Sequence, residues 1–296
     1  METPVLEIRN LTKSYGHIKA LDDFSLSVGK GEICGILGPN GSGKTTTLGI
    51  LLDILKPDSG SFYWFGKVPD DKQRRRIGAL LESPVFYPHL SAVRNLKIIA
   101  DIKKIPYDEI DQVIHTVGLL ERKHSRFSTY SMGMRQRLAI GAALLGKPEV
   151  LILDEPTNGL DPKGIAEIRK LIMEIGKEGV TILLASHLLD EVQKVCSHVV
   201  ILEKGKKISD GRVHEVLSEK PAFEMASDDH SLLKRVLEDS GKFAEVTFED
   251  EQVVAVMKER MSASEVNRFL TEEGIYLSHL TLRKQSLEKY FLELLK

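Results

Sequence analysis

A chain of 296 residues is long enough for one large core or for two domains, and 42% hydrophobic and 28% charged residues with a formal net charge of −2 describe an ordinary globular protein with no general pull toward nucleic acid. Its two cysteines, Cys34 and Cys196, have no partner at metal-ligand spacing and fit buried structural thiols in a reducing cytoplasm better than a disulfide scaffold. No basic stretch leads into an apolar run at the N-terminus, so no signal peptide is expected, and the longest apolar stretch, Leu138 to Gly146, falls far short of the about 20 residues of a membrane span; work at a membrane would need a partner.

In chain order, Leu6 and Ile8 alternate with polar residues, as do Phe24, Leu26 and Val28, so the chain opens on strands. A continuous apolar strand, Ile33 to Leu37, runs into a glycine-rich turn and a helix expected from Lys44 to about Leu55. Lys56-Pro57-Asp58-Ser59-Gly60 is a turn, and Ser61 to Phe65 is strand-like. From about Ser91 to Gly146 the pattern is helical. Asp108 is expected to cap a helix with Ile110, Val113, Ile114 and Val117 on one face. Strands return at Val150 to Leu153, Val180 to Ala185 and Val199 to Leu202. The helix between the first two carries Ile165, Ile168, Leu171, Ile172 and Ile175 on one face. This alternation predicts an α/β domain with a mostly parallel sheet. After about His214 the order is strand, helix, strand, strand, helix, strand, with a capping box at Ser262 and Glu265, which suggests a split βαβ, ferredoxin-like unit. A last helix places Leu287, Tyr290, Phe291, Leu294 and Leu295 on one face.

Gly38-Pro39-Asn40-Gly41-Ser42-Gly43-Lys44-Thr45 fits G-x4-G-K-[ST] between a strand and a helix, followed by Thr46. Glycines let backbone N–H groups turn in on phosphates, and the helix N-terminus favours an anion. Lys44 is expected to reach the β- and γ-phosphates, and the Thr45 hydroxyl to bind Mg²⁺. The strand Val150-Leu151-Ile152-Leu153 ends in Asp154 and Glu155. Asp154 suits Mg²⁺, and Glu155 suits a general base for the attacking water. These residues alone specify a phosphate-loop nucleotidase.

Four further segments narrow this: Lys13-Ser14-Tyr15-Gly16, Tyr130-Ser131-Met132-Gly133-Met134-Arg135-Gln136, Asn158-Gly159-Leu160-Asp161 and Ser186-His187. In this order the set resembles the ATP-binding cassette (ABC) family over about Pro4 to Glu215. The resemblance implies a RecA-like parallel core with an antiparallel β subdomain and a helical insertion over about 88–145. A cassette of residues 1–215 and a small α+β accessory domain of 216–296 are expected. By the same resemblance Tyr15 stacks on adenine, Ser131 and Gly133 bind the γ-phosphate of an ATP held by a second copy, and Asp161 lies at the dimer seam. His187 contacts the γ-phosphate and orients the water. Alone, Tyr15 would be read as a surface tyrosine in a turn, and a histidine after a strand as a cap or a packed side chain.

Two departures stand out. Glu82 occupies the place where the family has Gln, which keeps an oxygen for Mg²⁺ but adds negative charge beside the phosphates. The family's Leu-Ser-Gly-Gly-Gln is Tyr130-Ser131-Met132-Gly133-Met134 here. Both resemble the bacterial peptide-antibiotic and drug (bacitracin-type) export subgroup. The resemblance implies ATP hydrolysis with Mg²⁺, a second cassette (a homodimer is expected, with pairing to a relative as the alternative), and a membrane-spanning permease met at the cytoplasmic face of the cell membrane. No nucleic-acid partner is expected. Pro84-Val85-Phe86-Tyr87-Pro88 is either a permease contact or local packing. The competing reading is a soluble ABC ATPase acting on ribosome or DNA, but relatives of that kind carry two cassettes or a long coiled coil. A non-catalytic binding module is opposed by Lys44, Asp154, Glu155 and His187. The C-terminal unit is a structural or dimer-stabilising appendage, or a regulatory domain.

Overall fold

Alternating apolar residues give β1 (Leu6–Tyr15) and β2 (Ile18–Val28), an antiparallel pair that buries Leu6, Ile8, Phe24, Leu26 and Val28. The computed structural model describes residues 3–81, 85–216, 221–249, 251–283 and 287–294. They divide into two units, Met1–Arg212 and Val213–Lys296, each with its own buried core.

In the first unit β3 (Ile33–Leu37) is almost wholly buried and is followed by α1 (Lys44–Leu51). The helix stops short of Leu55: Leu52 closes it, and the chain turns at Asp53 with φ 61°. β4 (Ser59–Trp64) then pairs with β1 in a three-stranded antiparallel sheet of order β2-β1-β4. The fully buried Trp64 donates its indole N–H to the Leu51 carbonyl at 3.1 Å, tying this sheet to the end of α1. A short helix, α2 (Asp71–Arg74), is closed by a capping box between Asp70 and Gln73 and precedes β5 (Ile77–Leu80).

The helical stretch consists of α3 (Ala92–Lys103), α4 (Asp108–Thr116) and α5 (Met132–Leu144), with single 3₁₀ turns at Leu120–Arg122 and Phe127–Thr129. Ile110, Val113, Ile114 and Val117 are buried as their spacing predicts. Asp108, however, is not the cap. Tyr107 holds that position without a side-chain bond, and Asp108, Glu109 and Asp111 instead bring negative charge to the positive end of the helix.

β6 (Val150–Asp154), α6 (Pro162–Lys177), β7 (Thr181–Ser186), α7 (Leu189–Val195), β8 (His198–Glu203) and β9 (Lys206–Arg212) complete the unit. Its main sheet has the order β5-β6-β7-β3-β8-β9, parallel except for β9, which pairs antiparallel with β8. Burial on both faces explains the continuous apolar runs of β3, β6 and β7. Cys34 and Cys196 are both buried, and that burial raises both thiols. Because neighbouring strands run the same way, with Asp154 opposite Ala185 and Leu37 opposite Ser186, the segments leaving β3, β6 and β7 emerge along one edge.

The second unit runs through α8 (Val213–Val216), β10 (Ala222–Ser227), α9 (His230–Asp239), β11 (Phe243–Glu249), β12 (Gln252–Met257), α10 (Ala263–Glu272), β13 (Leu277–Arg283) and α11 (Leu287–Leu294). Its antiparallel sheet has the order β11-β12-β10-β13. That is the split βαβ arrangement of a ferredoxin-like fold. Phe223, Met225 and Val253 of the sheet pack in one cluster with Leu233, Leu237, Val266 and Leu270 of α9 and α10. Ser262 and Glu265 close a reciprocal capping box on α10. Leu287 is buried, while the side chains of Leu294 and Leu295 lie outside the described residues.

Candidate active site

The loop between β3 and α1 owes its shape to glycine. Gly38 and Gly43 have φ of 155° and 110°. A Cβ at Gly38 would collide with the Leu202 carbonyl oxygen, and one at Gly43 with the Ala20 carbonyl oxygen, so only glycine fits either position. Asn40 and Gly41 are exposed, and the Ser42 N–H donates to the Pro39 carbonyl at 3.1 Å. The Ser42 hydroxyl is buried and has no hydrogen-bond partner among the described residues, while its carbonyl accepts from the Gly205 N–H at 3.0 Å. Gly43 precedes α1 without a side-chain cap. The first N–H groups of that helix, together with the loop N–H groups, can therefore meet an anion such as phosphate.

Lys44, the first residue of α1, is only 6% exposed. Its ammonium donates to the carbonyls of Gly38 at 2.8 Å and Pro39 at 3.2 Å and lies 3.7 Å from Glu155 Oε1. Next to it, Thr45 Oγ1 donates to Asp154 Oδ2 at 2.9 Å, and Thr46 is half-buried. A hydroxyl and a carboxylate side by side are hard oxygen donors of the kind Mg²⁺ takes together with substrate phosphates. Among the described residues no group of three or more His, Cys, Asp or Glu could hold a metal alone. Thr45 and Asp154 supply two hard oxygens, a pair that suits Mg²⁺ arriving with nucleotide phosphates.

Glu155, directly after β6, has φ 47°, a backbone region that costs about 1–3 kcal/mol for such a residue. Its N–H is held by the Ala185 carbonyl at 3.0 Å. Its carboxylate lies between the Lys44 ammonium and His187, whose Nδ1 is 2.9 Å from Oε2. His187 follows β7 and is part-exposed, at 39% of its side chain. A carboxylate fixed between a cation and an imidazole can accept a proton from a water molecule without reorienting.

The remaining predicted residues form a second group. Ser131 caps α5, its hydroxyl accepting from the Met134 N–H at 3.3 Å, and nothing lies within 4 Å of where a Gly133 Cβ would stand. Asp161 caps α6, accepting from the Gly164 N–H at 2.9 Å. A Cβ on Gly159 would meet Met132 Cε at 2.7 Å, so these two caps belong to adjoining loops. No local pattern in the sequence signals that contact. Tyr15, at the end of β1, is 47% exposed. Glu82 and Pro84 lie outside the described residues. In the segment that follows, Val85 and Tyr87 are exposed, whereas Phe86 packs on Phe127 at 5.0 Å between ring centroids, and Phe127 in turn on Tyr130 at 5.8 Å.

The chain is similar to known proteins along nearly its whole length. The sequence profile described as "ABC transporter" matches residues 21–158. The uncharacterized ABC transporter ATP-binding protein YdbJ of Bacillus subtilis is 39% identical, with 99% of this chain and 96% of that protein covered. The bacitracin transport ATP-binding protein BcrA of Bacillus licheniformis is 37% identical over 98% of this chain and 97% of its own length. Among solved structures, the ATP-binding cassette MJ0796, a dimer in a post-hydrolysis state bound to ADP and Pi, superposes with a TM-score of 0.62 and 26% identity, covering 70% of this chain and 98% of that one.

Proposed function

The chain belongs to the ABC transporter family as one of its ATP-binding subunits, and from that premise we propose how its residues divide the work between two copies. It hydrolyses ATP to drive a separate membrane-spanning permease. Among its described residues no helix is long and apolar enough to cross a membrane. Tyr15 stacks on the adenine, and the loop from Gly38 to Gly43 with Lys44 holds the phosphates. Thr45 and Asp154 hold Mg²⁺, which when bound neutralises phosphate charge. Glu155 takes the proton of the attacking water, and His187 keeps the Glu155 carboxylate aimed and contacts the γ-phosphate. Ser131 and Gly133 reach the γ-phosphate of an ATP held by a second, identical copy, with Asp161 along the seam.

The observation that carries this reading is the Glu155 carboxylate, 2.9 Å from His187 Nδ1 and 3.7 Å from Lys44 Nζ, beside the Thr45–Asp154 pair. The exposed Ser131 and the open side of Gly133 support a role toward another molecule. The dimeric state of MJ0796 supports the two-copy arrangement. BcrA, alike along nearly its whole length, is named for bacitracin transport, which supports export of a peptide antibiotic, drug or lipid-like compound from the cytoplasmic face of the membrane. Exposed Val85 and Tyr87 supply apolar surface for the permease.

Affinity purification of the tagged chain from detergent-solubilised membranes of its source, with mass spectrometry, tests the assignment. A stoichiometric polytopic membrane protein is expected. Recovery only with ribosomal or DNA-repair proteins would overturn the transport role and leave the ATPase.

A further inference from the structure

Asp58 lies in the Lys56-Pro57-Asp58-Ser59-Gly60 turn and has no part in the phosphate site, yet it holds the three residues that lead to Tyr15. Its Oδ1 accepts from the Lys13 ammonium at 2.9 Å, its Oδ2 from the Ser14 N–H at 2.6 Å, and its own N–H donates to the Thr12 carbonyl at 2.8 Å. The Lys13 side chain is 18% exposed, and its ammonium lies over the Tyr15 ring, 5.6 Å from the centroid. That is within cation–π range, so the ammonium covers one face of the ring of a residue that is still 47% exposed. The Lys13 hydrogen bond, with that of Ser14, holds the Asp58 carboxyl below its usual range, so the clamp is ionic near neutral pH. The hairpin carrying Tyr15 also reaches the phosphate loop. Ser14 pairs with Lys19 and Tyr15 with Ile18, and the next residue, Ala20, is the one whose carbonyl leaves room only for glycine at Gly43.

We propose that Asp58 is a positioning residue for the nucleobase: through Lys13 and Ser14 it presets the Tyr15 ring so that one face meets the base of the bound nucleotide. This rests on the reading of Tyr15 as the adenine-stacking residue. It accounts for an aspartate whose turn would need only backbone chemistry to close.

The test is calorimetric binding of ADP and of pyrophosphate, neither of which the enzyme consumes, to the full-length chain and to Tyr15→Ala, Asp58→Ala, Asp58→Asn and the Tyr15→Ala/Asp58→Ala double variant. Tyr15→Ala should weaken ADP about fivefold or more, the size of one base–aromatic stack, and leave pyrophosphate unchanged. Asp58→Ala should weaken ADP about three- to tenfold with pyrophosphate again unchanged, and should add nothing in the double variant, because both changes remove the same contact. Asp58→Asn, which keeps an acceptor for Ser14 but loses the ion pair, should fall between. Unchanged pyrophosphate binding also shows that each variant is folded. Asp58 variants that keep wild-type ADP affinity while Tyr15→Ala loses it, that lose ADP and pyrophosphate alike, or that add their loss to that of Tyr15→Ala would overturn the positioning role and spare Tyr15. If Tyr15→Ala itself binds ADP normally, the stacking assignment falls and the positioning role falls with it.

Discussion

At the scale of single residues, the decisive feature is a glutamate in a backbone conformation that disfavours it. Glu155 has φ 47°, and its half-buried side chain meets both His187 and Lys44. Strain of this kind persists when the surroundings over-determine it, here through the N–H bond to Ala185 and the two side-chain contacts. Replacing Glu155 by Gln keeps the shape and a hydrogen-bond acceptor for His187 but removes the basic oxygen. The expected result is ATP binding close to wild type with turnover lower by about 10²–10⁴-fold, read in a steady-state phosphate-release assay beside nucleotide titration. Normal turnover in Glu155→Gln would remove the general-base role. Most of this site could be found in the sequence, because Gly38 to Thr45 and the Asp154-Glu155 pair are contiguous motifs whose chemistry demands those residue types in that order. The left-handed turn at Glu155 and the contact of Met132 with Gly159 could not be found, since both depend on neighbours distant along the chain.

At the scale of elements, local pattern and tertiary context each decide different strands. The apolar runs of β3, β6, β7 and β8 announce themselves by composition, and the capping box of Ser262 with Glu265 by its spacing. β5 is four residues long with Gly78 inside it, and β9 reads Lys-Lys-Ile-Ser-Asp-Gly-Arg; neither carries a strand signal, and each forms because an edge of the sheet offers unpaired backbone groups. α1 ends early for a similar reason, since the Leu51 carbonyl is taken up by Trp64 of β4. β9 is also fixed by side chains: His198 Nε2 lies 2.6 Å from Asp210 Oδ1, and Lys207 donates to the other oxygen at 2.6 Å. The hydrogen bond to Asp210 raises the His198 pKa above its ordinary 6.5 against the effect of burial, with Glu32 adding to the rise and Arg212 opposing it. Burial alone would raise Asp210, but its bonds to His198 and Lys207 outweigh burial and hold it below 3.8. The raised histidine stabilises the fold fully below pH 6.5, and that contribution is lost as pH rises through its elevated value. The lowered aspartate contributes fully above pH 3.8 and loses its contribution as pH falls. His198→Gln should therefore destabilise by about 1–2 kcal/mol near pH 6 and by clearly less near pH 9, measured by denaturant melts at both pH values. An equal loss at both would show that the ionic bond does not hold the hairpin.

At the scale of the whole molecule, the two groups of site residues raise a question that one copy cannot answer. Lys44, Thr45, Asp154, Glu155 and His187 are joined by direct contacts. Ser131 and Asp161 instead cap helices on adjoining loops and remain exposed to solvent, next to the open side of Gly133. If the second group serves the ATP of another copy, defects in the two groups must complement one another in a mixture. Lys44→Ala disables a chain's own phosphate loop but leaves its Ser131 loop intact. Ser131→Arg does the reverse, because a bulky cation replaces the small hydroxyl at the start of α5. Each variant alone pairs every good half-site with a bad one and should be inactive. In a mixed pair, one seam collects both defects and the other collects neither. With random exchange of equal amounts, half of the pairs are mixed and each has one sound seam, so the mixture should recover up to about a quarter of the wild-type rate. The recovered rate should track the ATP-dependent species of about twice the 33.1 kDa chain mass seen by light scattering. A mixture that forms this species yet stays as inactive as its components would mean that Ser131 acts within its own chain, and the head-to-tail arrangement would have to be given up.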